Sequence, residues 1–318
     1  MDLVDRMLAG DRVALAKLMS RAENESTDVP AIMARIAPRC GRSAVLGVTG
    51  PPGAGKSTLV DRIIGRLRGA GRSVGVIAVD PSSPFSGGAV LGDRIRMQTH
   101  CLDPAVFIRS LSTRGRRGGL ARATRQVAHL LDAFGKQSVI IETVGVGQTE
   151  LDIMEVAQTV VVVLVPEAGD TIQVMKAGLL EIAHVFVVNK ADREGAARMK
   201  AELETMVQLR PSVSWSIPVV LTEAHKDRGI DELMDAISAH RRHLEADGAA
   251  RRTAEEHRQR EFFDVLGNVI CGRIEGGIER SYAMLLARVR HGEQDPYSAA
   301  LEVLGDRHSL QRLLDGAD

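Results

Sequence analysis

Residues Gly50-Pro51-Pro52-Gly53-Ala54-Gly55-Lys56-Ser57 decide how this chain folds. They meet the phosphate-loop pattern G-x-x-x-x-G-K-[ST] at every required position. The glycines let the backbone wrap closely, so its N–H groups converge on an anion. Lys56 has the reach for the outer phosphates of a nucleotide, and the Ser57 hydroxyl is a ligand for Mg²⁺. Gly53, Ala54, Gly55 and Thr58 complete the cradle. The flanks agree with this reading. Ala44 to Thr49 form an apolar run that predicts a buried strand, and Leu59, Val60, Ile63, Ile64 and Leu67 recur at helical spacing. A helix starting at the loop adds its N-terminal dipole to the anion site.

Outward from the loop, strands alternate with helices from about residue 41 to 245. Strands are expected at 45–49, 73–80, 105–109, 138–142, 160–165, 184–188 and 217–221. That alternation predicts an α/β fold with a mostly parallel sheet between two helical layers. Residues 1–40 read as a helical extension. Met7 and Leu8, then Leu15, Leu18 and Met19, form apolar stripes broken at Gly10-Asp11, where Asp11 is placed to cap a second helix. Composition shifts near 246. A densely charged run at 251–261 precedes Phe262, Leu266, Val269, Ile270 and Ile274 on one helical face. Residues 246–318 therefore read as a separate helical region without strands.

Composition narrows the function. Lysine plus arginine (41) balance aspartate plus glutamate (41), so nothing electrostatic points to nucleic acid as a partner. Aromatic residues make up 3% of the chain, too few for a base-stacking surface. Cys40, Cys101 and Cys271 lie far apart with no C-x-x-C pair, against both a disulfide framework and a zinc site. The longest apolar run, Val160 to Pro166, is far too short to cross a membrane. The N-terminus has mixed charge and no signal-peptide core. A cytoplasmic protein is expected.

Three further segments carry chemistry. Asn189-Lys190-Ala191-Asp192 follows an apolar strand and matches the guanine motif N-K-x-D. A carboxylate at Asp192 accepts from both N1–H and the 2-amino group of guanine, whereas adenine would leave it unpaired. Sites built on such bonds discriminate by about 10⁴–10⁵. Ser138 to Ile141 form a strand ending in Glu142, where an acid helps organise Mg²⁺. Gly145 follows, in position to offer its N–H to a γ-phosphate. Asp80 ends another strand and Asp93 lies in a glycine-rich run, both as candidate outer ligands of a hard cation. Each acid is also an ordinary cap for a strand end or a helix start.

These runs together carry a family likeness. Ala78 to Ser83, Ser86 to Met97, Glu142 to Glu150 and Asn189 to Asp192 match, in order and spacing over about residues 8–245, the MeaB/ArgK family. The chain resembles these G-protein chaperones of adenosylcobalamin-dependent acyl-CoA mutases. The resemblance implies a P-loop GTPase core of the signal-recognition-particle and nickel-insertase class, with an N-terminal helical extension and a C-terminal helical dimerisation arm. It implies hydrolysis of GTP to GDP that gates cofactor loading and protects the mutase. It also implies Mg²⁺, a homodimer, and an adenosyltransferase as a further partner. By position, Lys56 and Ser57 hold phosphate and metal. Asp80, Asp93 and Glu142 serve the metal and the attacking water, and Asn189, Lys190 and Asp192 hold guanine. The family's third switch falls on Pro166 to Lys176, which makes Asp170 and Lys176 candidates, Asp170 being also an ordinary helix N-cap.

The chain departs from the family at two places. Glu167 stands where many relatives have glycine. The base-backing loop reads Leu221-Thr222-Glu223-Ala224 instead of a Ser-Ala or Ser-Gly sequence, with the Ala224 N–H expected to face guanine O6. A basic stretch with Arg109, Arg114, Arg116 and Arg117 offers an arginine finger, a mutase contact, or a solvated loop. Three other readings stay open, one of them a non-hydrolysing binding module. A GTP-dependent kinase of a transport-binding protein would transfer phosphate to protein. A nickel-insertase-like metallochaperone would need the Cys/His cluster this chain lacks.

Overall fold

A computed structural model of the chain describes residues 2–80, 98–100, 102–112, 119–143, 156–166, 179–209, 214–246, 248–308 and 311. The chain divides into two compact units, Met1–Ala250 and Arg251–Asp318.

All seven expected strands form: β1 (Ala44–Thr49), β2 (Val74–Asp80), β3 (Val106–Ser112), β4 (Ser138–Glu142), β5 (Thr159–Leu164), β6 (Val185–Asn189) and β7 (Val219–Thr222). They make one sheet in the order β3-β2-β4-β1-β5-β6-β7, and every pair is parallel. The central strands explain the parallel arrangement. All six residues of β5 are buried, so both faces of the sheet must be covered, as crossover helices do.

Those helices are α1 (Leu3–Leu8), α2 (Arg12–Glu23), α3 (Val29–Ile36), α4 (Lys56–Gly69), α5 (Gly119–Ala133), α6 (Leu179–Ile182), α7 (Ala196–Gln208) and α8 (Ile230–Ala246). Strand alternation sorts them into two layers. Val161 and Val163 of β5 share a core with Leu59, Ile63 and Ile64 of α4 and Leu233 of α8. Val160, Val162 and Leu164 face the opposite core, with Leu15 and Leu18 of α2, Leu130 of α5 and Leu203 of α7. Fully burying an aliphatic side chain such as Ile63 contributes about 1.5–3 kcal/mol.

The N-terminal helices belong to this packing. Asp11 caps α2, its carboxylate accepting from the Val13 and Ala14 N–H groups at 2.8 and 3.0 Å. Arg12 then donates to the carbonyls of Pro104 and Val106, which ties α2 to the start of β3.

β3 corrects the reading of Arg109. The expected strand stops at 109, with a basic loop read from there on. The ladder with β2 instead continues through Ile77↔Arg109 to Asp80↔Ser112. Arg109 is held in the sheet by Glu23 at 2.7 Å and by the Ser20 hydroxyl at 3.1 Å. It is therefore not a loop arginine. Arg114, Arg116 and Arg117 lie outside the described residues.

The second unit is helical, with most of α9 (Ala249–Ser281), then α10 (Ala283–Arg290) and α11 (Pro296–Gly305). Asp295 caps α11 by accepting from the Ser298 N–H at 2.9 Å, with Pro296 at the first helical position. Among the described residues its buried core is Leu285, Ala299 and Val303, with Tyr282 and Val289 packed against them.

Candidate functional site

β1 delivers the chain to the loop at 50–57, and two of the loop's glycines are forced by close approaches. Gly50 has φ +138°, and a Cβ there would stand 2.0 Å from the Val163 carbonyl oxygen. Gly55 has φ +87°, and its Cβ would stand 2.4 Å from Nδ2 of Asn189. No side chain fits either place. Gly55 is also the N-cap of α4, whose first turn holds Lys56, Ser57 and Thr58. Lys56 is buried and curls over the loop, its Nζ donating to the carbonyls of Gly50 at 2.7 Å and Pro51 at 3.0 Å.

Next to the loop, Ser57 Oγ donates to Glu142 Oε1 at 2.6 Å, and both residues are buried. β4 brings Glu142 there because it pairs directly with β1, setting Val48 opposite Glu142. Thr143 continues the junction, its hydroxyl 2.8 Å from that of Thr49. A buried carboxylate and hydroxyl beside a phosphate loop form a hard, anionic oxygen set, which is the donor chemistry Mg²⁺ takes. The residues present fit that ion.

Asn189 is bonded on both sides within the protein. Its Nδ2 donates to the Ala54 carbonyl at 2.8 Å. Its Oδ1 accepts from the Thr222 hydroxyl at 3.0 Å and from the Ala224 N–H at 3.1 Å. The side chain is a buried strut joining the phosphate loop to the loop after β7. The Ala224 N–H, expected to face guanine O6, donates to Asn189 in this structure. Lys190 follows with a left-handed backbone, φ +56°, turning the chain so that Asp192 stands exposed beyond the strand edge.

The acid at 223 is accounted for. Glu223 accepts from the Lys226 ammonium at 2.7 Å and lies 3.5 Å from Arg228. Lys226 also reaches Asp192 at 3.2 Å. The hydrogen bond from Lys226 is the main reason that both carboxyls titrate below their ordinary range. Asp192, Glu223 and His225 bring three potential ligand atoms within 4.8 Å of one another. The ammonium already bridges the two acids, so the cluster is an ion-pair network.

Two residues that the motifs do not mark complete the frame. Arg62 donates to the Ala224 carbonyl at 3.1 Å, and Arg66 pairs with Asp227 at 3.0 Å and Asp231 at 2.6 Å. Both lie on the polar flank of α4, where sequence shows only exposed arginines. Through them, the helix whose N-terminus meets phosphate also braces the loop beside the guanine motif.

The other expected site residues divide plainly. Asp80 ends β2, which pairs with β4 so that Ala78 is opposite Glu142. Asp93, Gly145, Asp170 and Lys176 lie outside the described residues, as does Glu167. Among the described residues no helix is long and apolar enough to cross a membrane.

Known proteins match this architecture and chemistry together. The chain is 46% identical over 319 residues to a Pyrococcus abyssi protein with the provisional name of a GTPase, covering 98% of each. It is 33% identical to GTPase ArgK of Escherichia coli, covering 92% of each. It is 36% identical over 217 residues to the mouse mitochondrial methylmalonic aciduria type A homolog, covering 66% of this chain and 52% of that one. A solved structure described as a LAO/AO transport system kinase superposes with a TM-score of 0.68 at 27% identity, covering 95% of each chain. The family model for the methylmalonyl Co-A mutase-associated GTPase MeaB matches residues 15–278. With its phosphate loop, its Ser57–Glu142 pair and its guanine motif on one sheet edge, this chain belongs to the MeaB family of GTPases, and it hydrolyses GTP.

Proposed function

We propose that the protein is a Mg²⁺-dependent GTPase that serves as chaperone to an adenosylcobalamin-dependent acyl-CoA mutase, gating cofactor loading and protecting the mutase. One observation carries this reading beyond the family match. β4 and β5 flank β1 in the sheet, and β2 lies beyond β4. The chain segments leaving β2, β4 and β5 are the three whose sequences resemble the family's switches. All three start at the sheet edge that holds the phosphate loop. A partner bound to them would sense whether a γ-phosphate is there.

The chemistry follows from the residues in place. Lys56 neutralises phosphate charge, and the loop N–H groups orient the nucleotide for in-line attack by water. Ser57 and Glu142, with Asp80 and Asp93 as outer partners, would hold Mg²⁺. That ion, when bound, supplies neutralising charge on the phosphate oxygens. Asp192 selects guanine, with Asn189 and Lys190 shaping its setting. A homodimer through the helical second unit, and an adenosyltransferase as a further partner, complete the proposal.

The test is to mix the protein with cobalamin mutases of different acyl-CoA specificity. Complex formation and GTP turnover are measured, along with mutase survival during turnover. One mutase is expected to bind, to speed hydrolysis, and to survive longer with GTP than without. Lys56→Ala is expected to lower turnover by about 10²–10³-fold and to abolish the protection. Absence of binding or stimulation by every mutase overturns the chaperone reading.

A kinase reading has one specific support, the description of the superposable structure as a transport-system kinase. Labelled GTP separates the two. Label released as free phosphate supports hydrolysis alone, and label retained on a transport-binding protein supports the kinase.

A further inference from the structure

A second pocket opens at the opposite edge of the sheet, where the strands begin. It lies between α4 and α8, has a volume of about 80 Å³, and is lined by Ala44, Ser138 and Thr159 at the starts of β1, β4 and β5. The phosphate loop leaves the far end of β1, about 20 Å away at the usual rise per residue. Nothing in the nucleotide chemistry uses this pocket.

Its lining has two parts. The deeper wall is apolar, built by Leu46, Ile63, Leu67, Ile140, Met234 and Ile237. Arg72 and Arg241 belong to the same lining. The Ser138 hydroxyl is buried and has no hydrogen-bond partner among the described residues. Ser138 shares a strand face with Ile140, which belongs to the α4 and α8 core. Beside it, Arg72 donates to the carbonyl of Gln137, the residue before Ser138. Among the described residues, Arg241 pairs at the surface with Glu245 one turn along α8. Burial and the neighbouring Arg241 charge both hold the Arg72 guanidinium below its ordinary pKa. An anion placed between the two arginines would relieve that strain.

The geometry points to a binding site for a small aliphatic carboxylate. Its carboxylate would meet Arg72, Arg241 and the Ser138 hydroxyl, and its short hydrocarbon chain would fill the apolar wall. A buried polar group left unbonded is costly, and a carboxylate supplies the acceptor that Ser138 lacks. The arginines add charge-assisted bonds of the kind guanidinium groups make to carboxylates. The volume limits the chain. An apolar cavity of 150 Å³ takes benzene, so this one admits a chain of about three to five carbons.

The chain carries a reporter for the test. Trp215 is the protein's one tryptophan. Its ring lies 4.9 Å from that of His240, and His240 Nδ1 is 2.9 Å from the hydroxyl of Thr159 in the pocket wall. Tryptophan fluorescence and calorimetry of the full chain are followed against acetate, butyrate, isovalerate, octanoate and isovaleramide. Butyrate and isovalerate are expected to bind saturably, octanoate and acetate more weakly. Isovaleramide is expected to bind at least about tenfold more weakly than isovalerate, since it lacks the charge. Arg241→Gln, at an exposed position, is expected to remove that acid-over-amide preference while GDP affinity stays unchanged. Ile237→Trp should fill the pocket and block all of the series. If that variant misfolds, Ser138→Ala gives an independent reading, a weaker affinity for isovalerate with an unchanged fold. No saturable binding by any member, or equal binding of acid and amide, overturns the proposal.

Discussion

Asn189 uses both ends of its carboxamide on the protein itself, holding the Ala54 carbonyl with one and Thr222 and Ala224 with the other. The guanine motif made its position legible, because the pattern and the strand before it fix where the residue stands. Its partners were not legible, because they come from loops 135 and about 35 residues away in sequence. Asn189→Ala leaves a buried carbonyl and a buried N–H without their partner, at about 1–3 kcal/mol each. Thermal unfolding is expected to shift down by several degrees, and GTP and GDP affinities to fall together. A loss of affinity with unchanged unfolding would instead make Asn189 a direct base contact. Asp192 is the opposite case, exposed and tied among the described side chains to Lys226 and, at 3.9 Å, to His225. Asp192→Asn turns an acceptor into a group that also donates. The preference for GDP over XDP, measured by calorimetry, is expected to fall by at least about 10²-fold, within the range such bonds command, with little change in unfolding temperature.

At the scale of elements, the strand–loop–helix reading of residues 44–69 is realised as β1, loop and α4 because its pattern is contiguous in sequence, although the close approaches at Gly50 and Gly55 come from Val163 and Asn189. The loop's glycines are not equivalent, however. Gly53 has φ +76° with nothing within 4 Å of an added Cβ, whereas Gly50 would push a Cβ into the backbone of β5. Gly53→Ala is expected to cost only the left-handed backbone term, about 1–2 kcal/mol. Gly50→Ala should cost clearly more, because β5 must move, and the two denaturant midpoints measure the difference. The contact between β5 and α8 carries a pH signature of its own. Burial first, then the His184 and His243 rings, push the His240 pKa down to about 3. The unfolded chain takes up a proton near pH 6.5 while the folded chain does not. Stability is therefore full above about pH 7 and declines as pH falls toward 3. About 2 kcal/mol should be lost between pH 7 and pH 5. Denaturant titrations at the two pH values test this, and His240→Leu is expected to flatten the difference. No pattern in the sequence marked this histidine, since its setting depends on Trp215 and His184 arriving from other elements. Arg109 was misjudged for the same reason. Glu23 makes a charged residue acceptable in β3, and it lies 86 positions away.

The whole molecule raises a question of partnership. The apolar spacing in the tail reads correctly as one helix, α9, but a helical stripe does not say what covers it. Phe262 is 61% and Phe263 59% exposed, and Val265, Leu266 and Val269 are exposed along the same stretch. Among the described residues, the second unit's own core is Leu285, Ala299 and Val303, and a small unit buries too little surface to be firmly stable alone. A face spaced at i, i+3, i+4 and i+7 is the apolar stripe by which an amphipathic helix packs against another surface. The homodimer proposed above provides such a surface as a seam, with the same stripe on both copies. Sedimentation equilibrium is expected to give a dimer for the intact chain. Phe262→Asp combined with Leu266→Asp places charges in the seam and is expected to weaken dimerisation by at least about 10²-fold, since a buried unpaired charge is costly. The GTPase core of these variants should still bind GDP, because the guanine motif and phosphate loop lie in the first unit. If both variant and parent sediment as monomers, the exposed stripe belongs to another partner, and the mutase-binding experiment then identifies it. If both stay dimeric, the seam lies elsewhere in the molecule.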